Sequence, residues 1–131
     1  MIKCMSLFSQ ILSEISLSSV SFEQLVVKHG NDKNAKGFTS KAHLVTMIFS
    51  PLARADSLRE ITKGLLCCNG KVKHLGIKAA PKRSTLAYAN EHRSADLHEE
   101  YFWKQIQHFR SRNMLESSRK KFKFKNNLFL L

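Results

Sequence analysis

Apolar residues recur every three or four positions through most of the chain, which is the period of an amphipathic helix. The pattern predicts helices around residues 8–15, after Ser21, after Thr39, from Ser57 to about Cys68, from Lys82 to Arg93, and from about Ala95 to Phe109. The sequence therefore predicts a mainly α fold, a small helical bundle with a core of Phe8, Leu44, Ile48, Leu58, Ile61, Leu86 and Phe102.

Short polar side chains stand where several of these helices begin and can cap them. Ser21 precedes the second helix, which Gly30 would stop, and Thr39 opens the third. Ser57 is followed three residues later by Glu60, the spacing of a capping box. These helix starts are thus predicted from neighbouring residues alone.

The stretch KRSTLAYANEHR, Lys82 to Arg93, predicts a helix with little to bury. A capped helix, a basic connection and then this helix follow the arrangement of a helix-turn-helix, whose second helix contacts DNA. The connection is longer than the usual three or four residues, so an ordinary surface helix is the alternative. On the DNA-binding interpretation, Leu86 and Ala89 face the core, and the exposed side holds Arg83, Ser84, Thr85 and Tyr88.

The last twenty residues change to an alternating pattern. Phe122 and Phe124 alternate with lysines, and an apolar run follows at 128–131, which is typical of strands. We expect a helical DNA-binding domain over residues 1–112. Residues 113–131 are expected to form a basic linker and a short β-hairpin-like remnant.

Basic charge is concentrated in two segments of the chain. Against 10 Asp and Glu there are 22 Lys and Arg, a formal net charge of +12. Residues 71–83 hold five basic residues and no acid, and residues 104–125 hold eight basic residues and one acid. This distribution predicts binding to a polyanion. The candidate DNA-binding residues are Lys71, Lys73, Lys78, Lys82, Arg83, Ser84, Thr85, Tyr88, Asn90, Arg93, Arg119, Lys120 and Lys121.

The sequence shows no arrangement typical of catalysis or metal binding. The cysteines and histidines lack the paired spacing of zinc ligands, and Cys67 and Cys68 have no base beside them. Asp96, Glu99 and Glu100 share one helix, where a solvated face is favoured over a two-metal centre. We expect no metal, no cofactor and no enzymatic activity of this chain as it stands.

The compartment follows from the cysteines and the apolar runs. Three cysteines give no disulfide framework, which favours a reducing cytoplasm. No apolar run is long enough to cross a bilayer, so no membrane partner is expected.

Four segments in order resemble the N-terminal part of bacterial insertion-sequence transposases of the insertion-sequence-four type. They are FSQILSEI, DSLREITKGL, HLGIKAAPKRSTLAYANEHR and KFKFKNNLFLL. The resemblance implies a helical region that recognises element ends, followed by a ribonuclease-H-like domain with an Asp-Asp-Glu metal triad. The chain stops where the first aspartate would be expected, and no residue matches the triad. Lys82 and His92 also depart from the serine and lysine common at these positions in such proteins.

The combined expectation is the sequence-specific DNA-binding domain of a truncated transposase in the bacterial cytoplasm, associated with the nucleoid. Its partners would be double-stranded DNA at the terminal inverted repeats, and either itself or an intact transposase. The alternatives are a general basic nucleic-acid-binding protein and an inactive transposase remnant.

Overall fold

The computed structural model describes residues 2–17, 21–68 and 70–112, with the side chains of residues 6–13 in the first of these ranges. These residues form six α-helices and one short 3₁₀ helix, with no strand among them. The mainly α prediction is confirmed for this part of the chain, and the predicted β-hairpin-like remnant lies outside it. The elements are α1 (Ile2–Leu17), α2 (Phe22–His29), α3 (Ser40–Leu52), α4 (Leu58–Cys67), the 3₁₀ helix (Val72–Leu75), α5 (Arg83–His92) and α6 (Asp96–Ser111).

Hydroxyl side chains cap the three helices for which caps were predicted. Gly30 ends α2 in the left-handed conformation, with φ of 65°, which glycine adopts without a Cβ clash. The Glu60 carboxylate accepts from the Asp56 N–H at 2.8 Å, one residue before the cap at Ser57. The capping hydroxyls of Ser21, Thr39 and Ser57 accept from the N–H groups of Gln24, Ala42 and Glu60, respectively.

The larger core cluster joins α1, α3, α4, the 3₁₀ helix and α5. Phe8 of α1 meets Phe49 of α3 edge to face, with ring centroids 5.6 Å apart. A Cβ placed on Gly64 of α4 would lie 2.9 Å from the Phe49 ring, so glycine lets α4 approach α3 this closely. Leu65 and Leu86 are fully buried in the same cluster and bring α4 and α5 together.

A second cluster is formed where α2 packs on α6. Phe22 meets Tyr101 edge to face at 4.9 Å, with Leu25 and Leu97 buried beside them. Leu44 of α3 also packs against this cluster, whereas other α3 residues belong to the larger one. The third helix therefore contributes to both clusters.

An ion-pair network reinforces the contact between α2 and α6. The Glu100 carboxylate accepts from Lys28 at 2.8 Å, from His29 at 2.7 Å and from Lys104 at 3.1 Å. The hydrogen bonds from these three side chains, that from Lys28 being the strongest influence, hold the pKa of Glu100 at about 2.

One predicted core residue lies on the surface. Phe102 of α6 is 55% exposed, and its ring contacts Trp103, which is also exposed. The prediction that Phe102 belongs to the core was wrong because α6 turns Leu97 and Tyr101 towards α2 instead. The other predicted core residues are buried or pack against the larger or second cluster.

Candidate nucleic-acid interface

The connection between α4 and α5 alternates buried apolar residues with exposed lysines. Val72, Leu75 and Ile77 are buried in the larger cluster. Gly76 adopts the left-handed conformation with φ of 78° and turns the chain between Leu75 and Ile77. The lysines next to these apolar residues are exposed; they are Lys71, Lys73 and Lys78.

The N-terminal end of α5 has no capping side chain. Lys82 occupies the N-cap position in extended conformation, and its side chain makes no capping hydrogen bond. Uncapped N–H groups and the helix dipole favour an anion at this end. Lys82 and Arg83, both exposed, stand at the same place. We call residues 71–88, which hold five Lys or Arg and no acid, the basic segment.

Helix α5 buries one side and exposes the other, as predicted. Leu86 is fully buried and Ala89 nearly so. Arg83 and Ser84 are exposed and Thr85 is half-buried. Tyr88, a large ring, is 64% exposed.

A second ring covers Tyr88. The imidazole of His92 stacks on the phenol with centroids 3.9 Å apart and planes 15° from parallel. His92 Nδ1 lies 3.1 Å from the Tyr88 carbonyl oxygen. His92 was not among the predicted DNA-binding residues, although a tyrosine and a histidine four residues apart on one helix face would have indicated the pair.

Asn90, a predicted DNA-binding residue, makes a hydrogen bond inside the molecule. Its Oδ1 lies 2.6 Å from Nε2 of His43, a buried residue of α3. Since the amide oxygen accepts, His43 donates through Nε2. This bond ties α5 to α3 across 47 residues of sequence.

Arg93, also a predicted DNA-binding residue, follows α5 and turns inward. Its guanidinium donates to the carbonyl oxygen of Phe38 and lies over the Phe38 ring, 5.3 Å from the centroid. Burial lowers the pKa of Arg93, an effect that Asp32 partly opposes. Asn90 and Arg93 therefore attach both ends of the last turn of α5 to the loop and helix behind it.

Two histidines lie beside these contacts. The rings of His43 and His98 meet edge to face at 5.4 Å. Burial is the main cause that lowers the pKa of each. Arg93 lowers both pKa values further through its positive charge. The pair is accordingly neutral at physiological pH.

Arg119, Lys120 and Lys121 lie outside the described residues. Within the part of the chain that the structure describes, no group of three His, Cys, Asp or Glu side chains could hold a metal ion. In the same part, no helix has both the length and the apolar character needed to cross a membrane.

Comparison with known proteins gives one match. The family model described as "Domain of unknown function (DUF4372)" matches residues 3–78. The match covers α1 to α4 and the 3₁₀ helix, and it ends before α5. No curated protein matches the chain significantly, and no solved structure does.

Proposed function

The chain belongs to the DUF4372 family, whose model covers residues 3–78, and on this premise we propose that it binds double-stranded DNA as the N-terminal domain of an insertion-sequence transposase. Domains of this family are commonly found in transposase-like proteins. The order of the four segments that resemble transposases of the insertion-sequence-four type supports the finer assignment. The proposed target is the terminal inverted repeat of the parent element, and the proposed protein partner is a second copy or an intact transposase.

The observation that carries this proposal is the basic segment, which runs from the connection into the uncapped start of α5. The five Lys or Arg side chains of this segment are exposed, and two of them, Lys82 and Arg83, stand at a helix end that no side chain caps. Phosphate groups complement both features, because cationic side chains attract them and free N–H groups bind them. The buried residues Val72, Leu75 and Ile77 hold the connection against the bundle, so a ligand would meet a backbone that is already positioned.

The residues divide by the role that their chemistry allows. The lysines of the connection carry point charges, which suit phosphate contacts and give no sequence information. Arg83 begins the exposed side of α5, and an arginine there can bond two acceptors of a guanine in the major groove. Asn90 and Arg93 are proposed to position α5 rather than to touch DNA, since both make contacts inside the molecule.

The substitution Arg83→Ala in the full chain tests the proposal. Wild-type protein is expected to prefer a duplex with the terminal inverted repeat over a scrambled duplex of equal length. Arg83→Ala should reduce this preference by roughly 5- to 150-fold, which corresponds to the loss of one specific base contact. Fluorescence anisotropy at one fixed salt concentration measures both affinities.

Other lysines provide matched controls. Lys36→Ala removes the same charge from the exposed loop between α2 and α3 and should leave the preference unchanged. Lys120→Ala and Lys121→Ala should weaken binding to both duplexes alike. Each should also flatten the slope of log affinity against log salt concentration by roughly 0.9. Equal wild-type affinity for the two duplexes would leave only a general basic nucleic-acid-binding protein. Failure to bind either duplex would refute DNA binding.

A further inference from the structure

The exposed side of α5 changes character along its length. Lys82 and Arg83 stand at the N-terminal end, whereas Glu91 stands near the C-terminal end and is exposed. Phosphates are attracted to the first end and repelled by the carboxylate at the second. If α5 contacts DNA, Lys82 and the uncapped helix start therefore lie next to phosphates, and base edges are contacted by Arg83 and by the second half of the helix.

The second half carries the stacked pair of Tyr88 and His92. An exposed tyrosine contributes little to folding, yet here the nearly parallel imidazole of His92 covers one face of the Tyr88 ring at 3.9 Å. The stack restricts the rotation of the phenol before any ligand arrives. A contact through such a restricted side chain loses less conformational entropy on binding.

The hydrogen bond of His92 fixes what its other nitrogen offers. A carbonyl oxygen only accepts, so Nδ1 of His92 carries the proton that it shares with the Tyr88 carbonyl. In the neutral ring, Nε2 is then an acceptor. The partly exposed imidazole thus presents an acceptor, and the neighbouring Glu91 carboxylate, 76% exposed, presents another.

The chemistry of these groups matches particular atoms of the major groove. An apolar ring suits the 5-methyl group of thymine, and an acceptor suits the exocyclic amino group of adenine or cytosine. Four residues of α-helix rise about 6 Å, close to two base-pair steps of about 3.4 Å. Tyr88 and His92 are therefore spaced to contact base pairs one or two steps apart.

Resting on the proposed function, we infer that Tyr88 and His92 form a specificity-determining pair: Tyr88 contacts a thymine methyl group, and His92 Nε2 accepts from an amino group one or two base pairs away. This assigns a role to His92 and names the atoms that a target duplex must present. Arg83 selects at a separate position, about 1.4 turns before Tyr88 and about 2.5 turns before His92 on the helix.

Selection from duplexes with a randomised centre, followed by single-atom changes in the DNA, tests the pair. Wild-type protein should enrich a thymine and, one or two steps away, an adenine or cytosine. Deoxyuridine in place of that thymine removes only the methyl group and should weaken binding about fourfold, the effect of exposing one buried methyl. Tyr88→Ala should bind the thymine and deoxyuridine duplexes equally. Tyr88→Phe, which keeps the ring, should still bind the deoxyuridine duplex about fourfold more weakly than the thymine duplex.

The acceptor is tested in the same way. For a selected adenine, a purine nucleotide without the amino group should weaken wild-type binding about fivefold, as for one lost hydrogen bond. His92→Phe keeps a ring to stack on Tyr88 but has no acceptor, so it should not distinguish the two duplexes. Circular dichroism confirms that each variant is folded.

The possible failures can be told apart. Enrichment of a sequence whose uracil or amino-free versions bind wild-type protein unchanged would overturn the pair and leave DNA binding intact. Equal sensitivity of Tyr88→Ala and wild type to the uracil change would also overturn it. Binding without any enrichment would exclude sequence selection by Tyr88 and His92, and no binding to the pool would refute the proposed function itself.

Discussion

At the scale of single residues, His43 joins more parts of the molecule than its sequence context suggests. It lies on α3, bonds Asn90 of α5, and contacts the rings of Phe38 and of His98 on α6. Its Nδ1 atom is buried and has no hydrogen-bond partner among the described residues. A proton added there would have to be accommodated beside Arg93, which is already charged.

This arrangement makes stability depend on pH in a defined direction. Burial lowers the pKa of His43 and of His98, so the unfolded chain, with histidines near pKa ~6.5, binds more protons than the folded one. The contribution of these two histidines to the free energy of unfolding is therefore fully present above about pH 6.5 and is lost as the pH drops below it. Arg93 opposes protonation of both histidines, and His43 opposes protonation of His98. Hydrogen bonds act the other way, that with Asn90 on His43 and that with the Ser94 backbone on His98.

We predict that His98→Phe flattens the pH dependence. The phenyl ring keeps the contact with Phe22 and His43 and removes one of the two titrating groups. Urea unfolding at several pH values between about 5 and 8 should show that the free energy of unfolding falls less at low pH for the variant than for the wild type. An equal dependence of the unfolding free energy on pH in both proteins would contradict a role for His98.

Glu100, whose pKa is held at about 2, acts in a separate pH range, because its contribution to stability is lost only as the pH falls from about 4.5 towards 2.

At the scale of elements, α4 and α5 begin in opposite ways. Helix α4 has the hydroxyl of Ser57 on the Glu60 N–H, whereas α5 has Lys82 at its N-cap and no capping side chain. The backbone at Lys82 has φ of −70° and ψ of 150°, the extended conformation that an N-cap residue requires. The uncapped start is therefore a property of the side chain at position 82, since the backbone is ready for a cap.

We predict that Lys82→Ser stabilises the protein and weakens its binding to DNA. A serine at this N-cap should add about 0.5–2 kcal/mol to the free energy of unfolding, because it satisfies a free N–H of α5. The same change removes a positive charge and occupies an N–H group proposed to meet phosphate. Chemical denaturation and anisotropy with a duplex measure the two effects.

Ser57→Ala is the control for the cap. It should destabilise the protein by a similar amount without weakening DNA binding, since α4 begins away from the basic segment in sequence. A Lys82→Ser variant that gains stability and keeps full affinity would show that the start of α5 does not contact DNA.

At the scale of the whole molecule, two apolar clusters share α3. The larger one joins α1, α4 and α5 to it, and the smaller one lies between α2 and α6. The polar contacts of Asn90 with His43 and of Arg93 with Phe38 tie the C-terminal part of α5 to α3 and to the loop before α3. Helix α5 is consequently held by apolar contacts on its buried side and by polar contacts at its C-terminal end.

We predict very different costs for two apolar residues that the sequence places in the core alike. Leu86→Ala removes a fully buried side chain and should cost about 2–5 kcal/mol of unfolding free energy. Phe102→Ala removes a side chain that is 55% exposed and should change stability by about 0.5 kcal/mol or less. Urea denaturation of both variants measures this, and a cost above about 2 kcal/mol for Phe102→Ala would show that another part of the chain covers it.

The sequence by itself determined the helices and the two sides of α5. Caps such as Ser21 and Ser57 bond N–H groups three residues away, so their effect is decided locally. The burial of Leu86 and the exposure of Arg83 follow from the helical period, because α5 has only one apolar side to bury. The DNA-binding role assigned to that exposed side stays a prediction.

Only the tertiary structure decided between two equivalent stripes on α6. Leu97 and Tyr101 lie four residues apart, and so do Phe102 and Ile106, so helical periodicity fits both pairs. The docking of α2, with Phe22 against Tyr101, buried the first pair and left Phe102 exposed. The inward contacts of Asn90 and Arg93 were likewise decided by partners 47 and 55 residues away, and a local pattern carries no information about such distant partners.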